Sequence, residues 1–376
     1  MRTVRRLLYA DVLGAVAFVA TAFLALFFFI DFVEEMGDVG QGAYRARHAA
    51  LYCLLELPGH FYELFPIAVL IGTIYAMARL AQSSEFTILR TGGLGPGRAL
   101  WLLALLGLAF GALTFVVGDY VGPYFDAKAQ ALRSSLRGDA AGNSGNSGNG
   151  AWLRDRRIAG PDEQPAGERT DSVNIGNVGA DGRLDNVRIY EFGTNGELLA
   201  RISARSAQVH EGSWLLQDVQ LTRWRAGEGH ALPPDERLTA LTWPTQLSPA
   251  VVDSAVSPLQ SMSTVDLYRY QSHLAQNEQA VQRQQIQFWK KALYPLACLV
   301  MVGLALPFAY LHARSGGVSV KVFGGILLGI SFVLLNNVST HLGLLRDWTP
   351  WIAAAAPSTF YLLLSMAAFS WLVRFR

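Results

Sequence analysis

Residues 12–30, VLGAVAFVATAFLALFFFI, decide the fold, because they contain no charged side chain over a length that suits a membrane span. A helix needs about 20 predominantly apolar residues to cross a hydrocarbon core about 30 Å thick. The basic stretch 1–6 precedes this run, as in a signal peptide, but the run continues through Phe32 and is longer than a usual signal core. We therefore expect a retained first membrane span.

Five further apolar runs follow and fall into two groups. Residues 64–78 and 99–118 complete an amino-terminal group, and residues 292–311, 322–345 and 351–373 form a carboxy-terminal group. Between them lies a long and much more polar segment. The sequence thus predicts an α+β membrane protein with six transmembrane helices, three before and three after an inserted domain.

The composition excludes several classes of protein. Hydrophobic residues make up 51% of the 376 residues and charged residues only 16%, whereas a soluble chain is about 25% charged. The net charge of +2 gives no basic surface for a nucleic-acid partner. Cys53 and Cys298 are far apart and show neither a disulfide framework nor metal-ligand spacing. We predict no metal site and no nucleic-acid partner.

Basic residues predict the orientation. They cluster before the first span, between the second and third, between the fourth and fifth, and after the last. Because such residues are enriched in cytoplasmic loops, we expect both termini in the cytoplasm and the middle segment outside. Lys290 and Lys291, next to the fourth span, run against this trend.

The middle segment, residues 121–287, has the pattern of an extracytoplasmic β domain with flanking helices. A helical stretch, 123–137, precedes a Gly/Asn/Ser-rich tract at 141–150, and short alternating strands follow from Ala151. Asn195-Gly196 between two such strands is a strong hairpin signal. We predict an antiparallel sandwich or a β-jellyroll-like domain, and then a helix over 264–287. The domains are therefore 1–120, 121–287 and 288–376.

Motifs of catalysis are missing from the sequence. The glycine cluster at 92–97 lacks the lysine of a nucleotide-binding P-loop. The sequence contains no H-E-x-x-H zinc motif and no G-x-S-x-G nucleophile elbow. We predict a chain that is not an enzyme and binds no cofactor itself.

The connection after the second span, residues 81–93, predicts one short helix. Ser83 or Ser84 can cap its start, Glu85 suits the first turn, and Gly92 can end it. Two interpretations stay open here: an amphipathic loop helix without a partner, and a helix that docks into a cytoplasmic partner.

These residues also carry a family resemblance. The run ELFPIAVLIGT at 63–73 continues through LAQSSE at 80–85 to RTGG at 90–93. This pattern resembles the LptF/LptG permease family of the bacterial lipopolysaccharide exporter, and the LptG branch more than the LptF branch. The resemblance covers nearly the whole chain, including FVEEMGD at 32–38 and GAWLRD at 150–155.

The resemblance implies partners and a location. It implies an inner-membrane chain with a periplasmic β domain, paired with an LptF-like sister permease around a cavity for lipopolysaccharide. An LptB-like ATPase dimer would supply the energy, with ATP and Mg²⁺ bound in that partner. An LptC-like single-span protein would sit beside the first span and lead to a periplasmic bridge.

The resemblance also implies site residues. Helix 84–93 would be the coupling helix in the ATPase groove, with contacts from Ser84, Glu85, Phe86, Leu89 and Arg90. Candidates for the lipid phosphates are Lys128, Arg133 and Arg137, for which a solvated helix face is the alternative. Candidates for the apolar cavity wall are Phe18, Phe23, Phe27 and Phe28. Some family members carry lysines where this chain has Glu34, Glu35 and Asp38.

Two functional hypotheses remain. The first is a non-catalytic permease subunit of an ATP-driven lipopolysaccharide extractor. The second is a structural or signalling envelope protein whose β domain binds a periplasmic partner without transport.

Overall fold

The computed structural model describes residues 2–40, 43–83, 96–137, 151–158, 168–178, 182–210, 212–224, 235–249, 251–252, 262–276, 281–310 and 317–374. The chain forms two compact units. The helical unit comprises Met1–Gly40, Arg45–Gln130 and Gln285–Arg376, and the β unit comprises Gln41–Tyr44 and Ala131–Gln284.

Long helices account for most of the helical unit. Across both units, in chain order, the helices are α1 (Arg2–Glu35), α2 (Ala46–Gln82), α3 (Pro96–Val116), α4 (Gly122–Arg137), α5 (Thr264–Gln276), α6 (Gln282–Tyr310), α7 (Val318–Leu345) and α8 (Pro350–Arg374). Helix α5 and the end of α4 belong to the β unit. Among the described residues, six helical stretches are long and apolar enough to cross a membrane. The predicted six spans, three on each side of the β unit, are confirmed.

Two of these helices begin well before the apolar runs that predicted them. Helix α2 starts at Ala46, whereas its apolar run starts at residue 64, and α6 starts at Gln282, whereas its run starts at residue 292. The added turns carry charged residues, which lower the hydropathy. They are helical nevertheless because one side packs in the unit: Tyr52 and Cys53 are buried, and so is Lys291.

Glycines allow α2 to approach its neighbours closely. A Cβ on Gly72 would lie 2.6 Å from the Cα of Val16 in α1. On the other side of α2, a Cβ on Gly325 of α7 would lie 2.7 Å from Ile74. Since small residues let membrane helices come into backbone contact, α2 is packed between α1 and α7.

Helix α3 packs against α6 in the same way. A Cβ on Gly111 would lie 2.7 Å from the carbonyl oxygen of Pro295. Near this contact the buried Thr114 Oγ1 lies 3.3 Å from Cys298 Sγ. A π-helical turn, Val117–Val121, then joins α3 to α4 and places Gly118 against the Tyr62 ring.

The β unit is an open, six-stranded antiparallel sheet in which each strand pairs with the next along the chain. Its strands are β1 (Ala151–Ile158), β2 (Glu168–Val178), β3 (Leu184–Phe192), β4 (Leu198–His210), β5 (Ser213–Arg223) and β6 (Glu236–Pro244). The predicted antiparallel β domain is confirmed. The Asn195-Gly196 hairpin is confirmed too, with Gly196 at φ +76°.

Tryptophans and a buried ion pair fill the inner face of the sheet. Trp214 and Trp243 are buried and meet edge to face at 5.6 Å. The Trp243 indole donates to Glu191 Oε1 at 3.0 Å, and Arg169 Nη1 lies 3.2 Å from Glu191 Oε2. The Glu191 carboxylate is thus held by two donors from different strands.

The two edge strands of the sheet are tied together at one end. Asp155 of β1 accepts a hydrogen bond from the hydroxyl of Thr245, directly after β6. The backbone N–H of Gln246 also donates to Asp155 Oδ2, at 2.9 Å. Because β1 and β6 are the opposite edges, these bonds curl the sheet around its tryptophans.

Predicted helix 264–287 is divided in the structure. Helix α5 ends at Gln276, and the residues from Gln282 onward belong to α6. Val281, directly before α6, is not helical, and residues 277–280 lie outside the described residues.

Candidate functional site

A cluster of ionisable side chains joins α1 and α2 near the carboxy-terminal end of α1. His60 Nε2 of α2 lies 2.8 Å from Asp31 Oδ2 of α1. One turn earlier on α2, Glu56 accepts a hydrogen bond from the Tyr52 hydroxyl. One ligand atom from each of Asp31, Glu56 and His60 lies within 4.8 Å of the others. We call these three residues the Asp31 cluster.

Further charged groups lie in the same part of the helical unit. Asp126 of α4 approaches the backbone of α2, so that a Cβ on Gly59 would lie 3.5 Å from Asp126 Oδ1. Lys291 of α6 is 9% exposed, and its Nζ lies 5.8 Å from the centre of the Tyr62 ring. Ionisable residues within membrane spans are costly and typically mark functional pathways. This end of the helical unit is therefore the candidate functional region.

The two carboxylates and the imidazole of the Asp31 cluster are groups that can bind a divalent cation. However, Asp31 and His60 already pair with each other, and the Glu56 carboxylate holds the Tyr52 hydroxyl. We assign no metal ion to them.

Sequence reasoning missed the Asp31 cluster. The stretch 46–60 lay outside the predicted spans, so Glu56 and His60 were not read as span residues. Their spacing of four residues, which places them on one face of a helix, was the available signal.

The predicted phosphate ligands lie on α4 and do not share one face. Lys128 is exposed, with its Nζ 4.3 Å from the centre of the Tyr124 ring. Five residues along a helix amount to a rotation of about 140°, so Arg133 points away from Lys128. Arg137 follows Arg133 by four residues and shares its face, although its side chain lies outside the described residues. Their role in binding phosphate stays a prediction.

The predicted cavity-wall phenylalanines separate into two groups. Phe18 is 76% exposed, whereas Phe23 packs against the core of the helical unit. Phe27 contacts the His60 ring at 5.2 Å, and Phe28 stacks on Phe32 at 6.1 Å. Only Phe18 of the four therefore offers a large open apolar surface, which it shares with other exposed residues of α1, Leu26, Phe29 and Val33.

The predicted coupling helix, residues 84–93, lies outside the described residues, and so do Ser84, Glu85, Phe86, Leu89 and Arg90. The structure does correct its predicted start. Ala81 and Gln82 belong to α2, and the Ser83 hydroxyl donates to the Arg79 carbonyl at 3.2 Å. Ser83 therefore follows α2 directly, and the residues whose N–H groups it or Ser84 would cap lie outside the described residues.

Polar contacts also join the helices on either side of this connection to α1. Arg79 Nη2, near the end of α2, lies 2.7 Å from Asp11 Oδ1. The Tyr9 hydroxyl donates to the Leu102 carbonyl oxygen of α3 at 3.0 Å. Sequence reasoning missed both contacts, because nothing local in the sequence pairs residues so far apart.

Comparisons with known proteins agree with this architecture. A family model described as lipopolysaccharide export system permease LptF/LptG matches residues 6–372. The chain is 27% identical over 342 residues to the lipopolysaccharide export system permease protein LptG of Escherichia coli (strain K12), covering 90% of this chain and 89% of that protein. It is 25% identical over 370 residues to LptG of Haemophilus influenzae, covering 97% of both chains. The match runs through both groups of spans and the β unit, and the chain therefore belongs to the LptF/LptG family of lipopolysaccharide export system permeases.

Proposed function

We propose that this chain is the LptG-type permease subunit of an ATP-driven transporter. The transporter extracts lipopolysaccharide from the outer leaflet of the inner membrane and passes it to a periplasmic bridge. The observation that carries the proposal is the family match over residues 6–372, which includes both three-span groups and the β unit. The relatives named LptG span almost the whole chain as well.

The energetics of a lipid substrate support a role for the charged groups. Burying an acyl chain contributes about 0.8 kcal/mol per CH₂ when the chain leaves water. Almost nothing is gained when it moves from a bilayer into an equally apolar cavity, so capture depends on the headgroup. We propose Lys128, Arg133 and Arg137 for its phosphates, since a guanidinium matches phosphate geometry.

Energy must come from another chain in this proposal. The sequence holds no P-loop, and ATP with Mg²⁺ would be bound by an LptB-like ATPase dimer. Residues 84–93 would contact that dimer, with Phe86 and Leu89 as apolar anchors and Glu85 as the charge contact. Collapse of the cavity would then be driven from outside the permease.

We propose the remaining partners from the family resemblance. An LptF-like sister would complete the cavity, and the exposed apolar side chains of α1, α7 and α8 offer surface for it. An LptC-like protein would lie beside the first span. We propose the inner membrane as the location, with both termini in the cytoplasm and the β unit in the periplasm, as the basic residues indicate.

The test uses the full chain purified with its LptF-like and LptB-like partners and reconstituted in lipid. ATP hydrolysis and release of lipopolysaccharide are measured on the same sample. Glu85→Arg should abolish ATP-dependent release, because it reverses the charge at the proposed ATPase contact. Asp185→Arg, the same charge reversal on an exposed strand position of the β unit, is the matched control. Undiminished release by Glu85→Arg would refute Glu85 as the charge contact with the ATPase, whereas a wild-type complex without ATP-dependent release would favour a structural or signalling envelope protein.

A further inference from the structure

The two helices that flank the connection 84–95, α2 and α3, are each bonded to α1. Helix α2 ends at Gln82 and α3 begins at Pro96, so residues 84–95 join these two helices. Within one turn of its end, α2 contacts α1 through Arg79 and Asp11, at 2.7 Å. Within two turns of its start, α3 contacts α1 through Leu102 and Tyr9, at 3.0 Å. One short stretch of α1 thus holds both helices.

The two contacts point in different directions from α1. Residues two positions apart on a helix are rotated by about 200°, so Tyr9 and Asp11 project from nearly opposite sides. Leu8 and Val12, next to them, are buried in the apolar core of the helical unit. At this level α1 therefore lies between α2 and α3 and is fixed to each by a directional bond.

These two polar bonds fix the position of one helix along another, which apolar packing does not. Packed apolar surfaces can slide by small amounts, whereas a hydrogen bond or ion pair sets the position of one helix along another. The ion pair is charge-assisted, but Arg79 is 55% exposed and Asp11 22% exposed. A pair this exposed contributes little to stability. Its main consequence is the relative position of α1 and α2.

We propose that Asp11 and Tyr9 are positioning residues that carry displacement from the 84–95 connection to α1. Helix α1 also carries the exposed Phe18 and, about 20 Å further along, Asp31 of the Asp31 cluster. A push on the connection would move α1 along with α2 and α3 and so reach the surface that meets the lipid. This inference rests on the proposed function, in which an ATPase acts on the connection.

The experiment measures ATP hydrolysed per lipopolysaccharide released in the reconstituted complex. Asp11→Arg and Arg79→Asp should each raise this ratio by roughly fivefold or more, the usual size of a coupling between sites. The double variant with both changes restores an opposite-charge pair and should return the ratio towards the wild-type value. Tyr9→Phe removes only the hydroxyl and should raise the ratio on its own.

Control variants show whether a change in the ratio comes from the altered position of α1 or from a general loss of stability. Arg205→Asp breaks an exposed ion pair in the β unit, and Tyr75→Phe removes the hydroxyl of an exposed tyrosine of α2. Both should keep the wild-type ratio. Thermal unfolding of every variant should stay close to that of the wild type, since the contacts add little to stability.

Several results would overturn the inference. One is a wild-type ratio in both Asp11→Arg and Tyr9→Phe. Another is a double variant, Asp11→Arg with Arg79→Asp, whose ratio is as high as that of the single variants. The loss of the ion pair would then not explain the raised ratio. If a charge-reversed chain fails to assemble, Asp11→Asn replaces it, with the same expected rise. A wild-type complex that releases no lipid with ATP would instead refute the proposed function, and the linkage with it.

Discussion

His60 Nε2 and Asp31 Oδ2 lie 2.8 Å apart and join α1 to α2, as Asp11 and Arg79 do at 2.7 Å nearer the start of α1. The two aspartates are 20 residues apart on one helix, or about 30 Å, which is the thickness of a bilayer core. Polar pairs therefore fix the first two spans to each other near both membrane faces, with apolar packing between them.

The His60–Asp31 pair should stabilise the helical unit. In His60→Ala the partly buried Asp31 carboxylate loses its partner, which should lower the free energy of unfolding by about 1–3 kcal/mol. Asp31→Ala should cost a similar amount. Because the two residues contact each other, the double variant should cost less than the sum of the single ones. Denaturation in detergent measures all three, and additive costs would contradict the pairing.

Close packing at Gly72 should be intolerant of a methyl group. In Gly72→Ala the new Cβ would lie 2.6 Å from the Val16 Cα, so the backbones of α1 and α2 must separate. Overpacking of this kind costs about 1–3 kcal/mol. Gly14→Ala, on α1 but with no atom within 4 Å of the new Cβ, is the control. A thermal unfolding experiment that ranked the two variants alike would refute the close approach.

The buried ion pair of the β unit should contribute far more to the free energy of unfolding than the exposed one. Arg169→Met leaves the Glu191 carboxylate buried without its guanidinium and should cost about 3–5 kcal/mol. Arg205→Met breaks an ion pair whose side chains are 82% and 59% exposed, and surface changes of this kind stay within about 0.5 kcal/mol. Chemical denaturation followed by tryptophan fluorescence compares them, because Trp214 and Trp243 are buried in this unit. Equal effects would be inconsistent with the burial of Arg169.

If α4 binds the lipid phosphates, Lys128 on one face of the helix and Arg133 on another should each contribute to the affinity. Lys128→Glu and Arg133→Glu should each reduce the lipopolysaccharide that copurifies with the complex. A lost charge-assisted hydrogen bond is worth about 1.5–3 kcal/mol, or roughly tenfold in affinity or more. Arg188→Glu, at an exposed position of the β unit, is the control. If both α4 variants retain as much lipid as the wild type, Lys128 and Arg133 belong to a solvated helix face and do not bind phosphate.

The sequence predicted the local features of this fold well. An uncharged run such as 12–30 and a turn pair such as Asn195-Gly196 carry their signal within a few residues. The starts of α2 and α6 were missed, because hydropathy registers apolar runs and not polar helix turns that pack on a neighbour.

The candidate site was harder to predict than the fold. Asp31 and His60 lie on different helices, and so do Asp11 and Arg79, so no local spacing reveals their contacts. Phe18, Phe23, Phe27 and Phe28 looked alike in the sequence, yet only the packing of α1 separates the exposed Phe18 from the others. The contact of residues 84–93 with an ATPase stays a prediction.

Release of lipopolysaccharide from proteoliposomes tests the central claim most directly. Vesicles contain this chain with its LptF-like and LptB-like partners, or lack the ATPase, and lipid transferred to a soluble acceptor is measured with and without ATP. We expect transfer only when the ATPase and ATP are both present. Equal transfer from vesicles that lack the ATPase would contradict a permease driven by a separate motor.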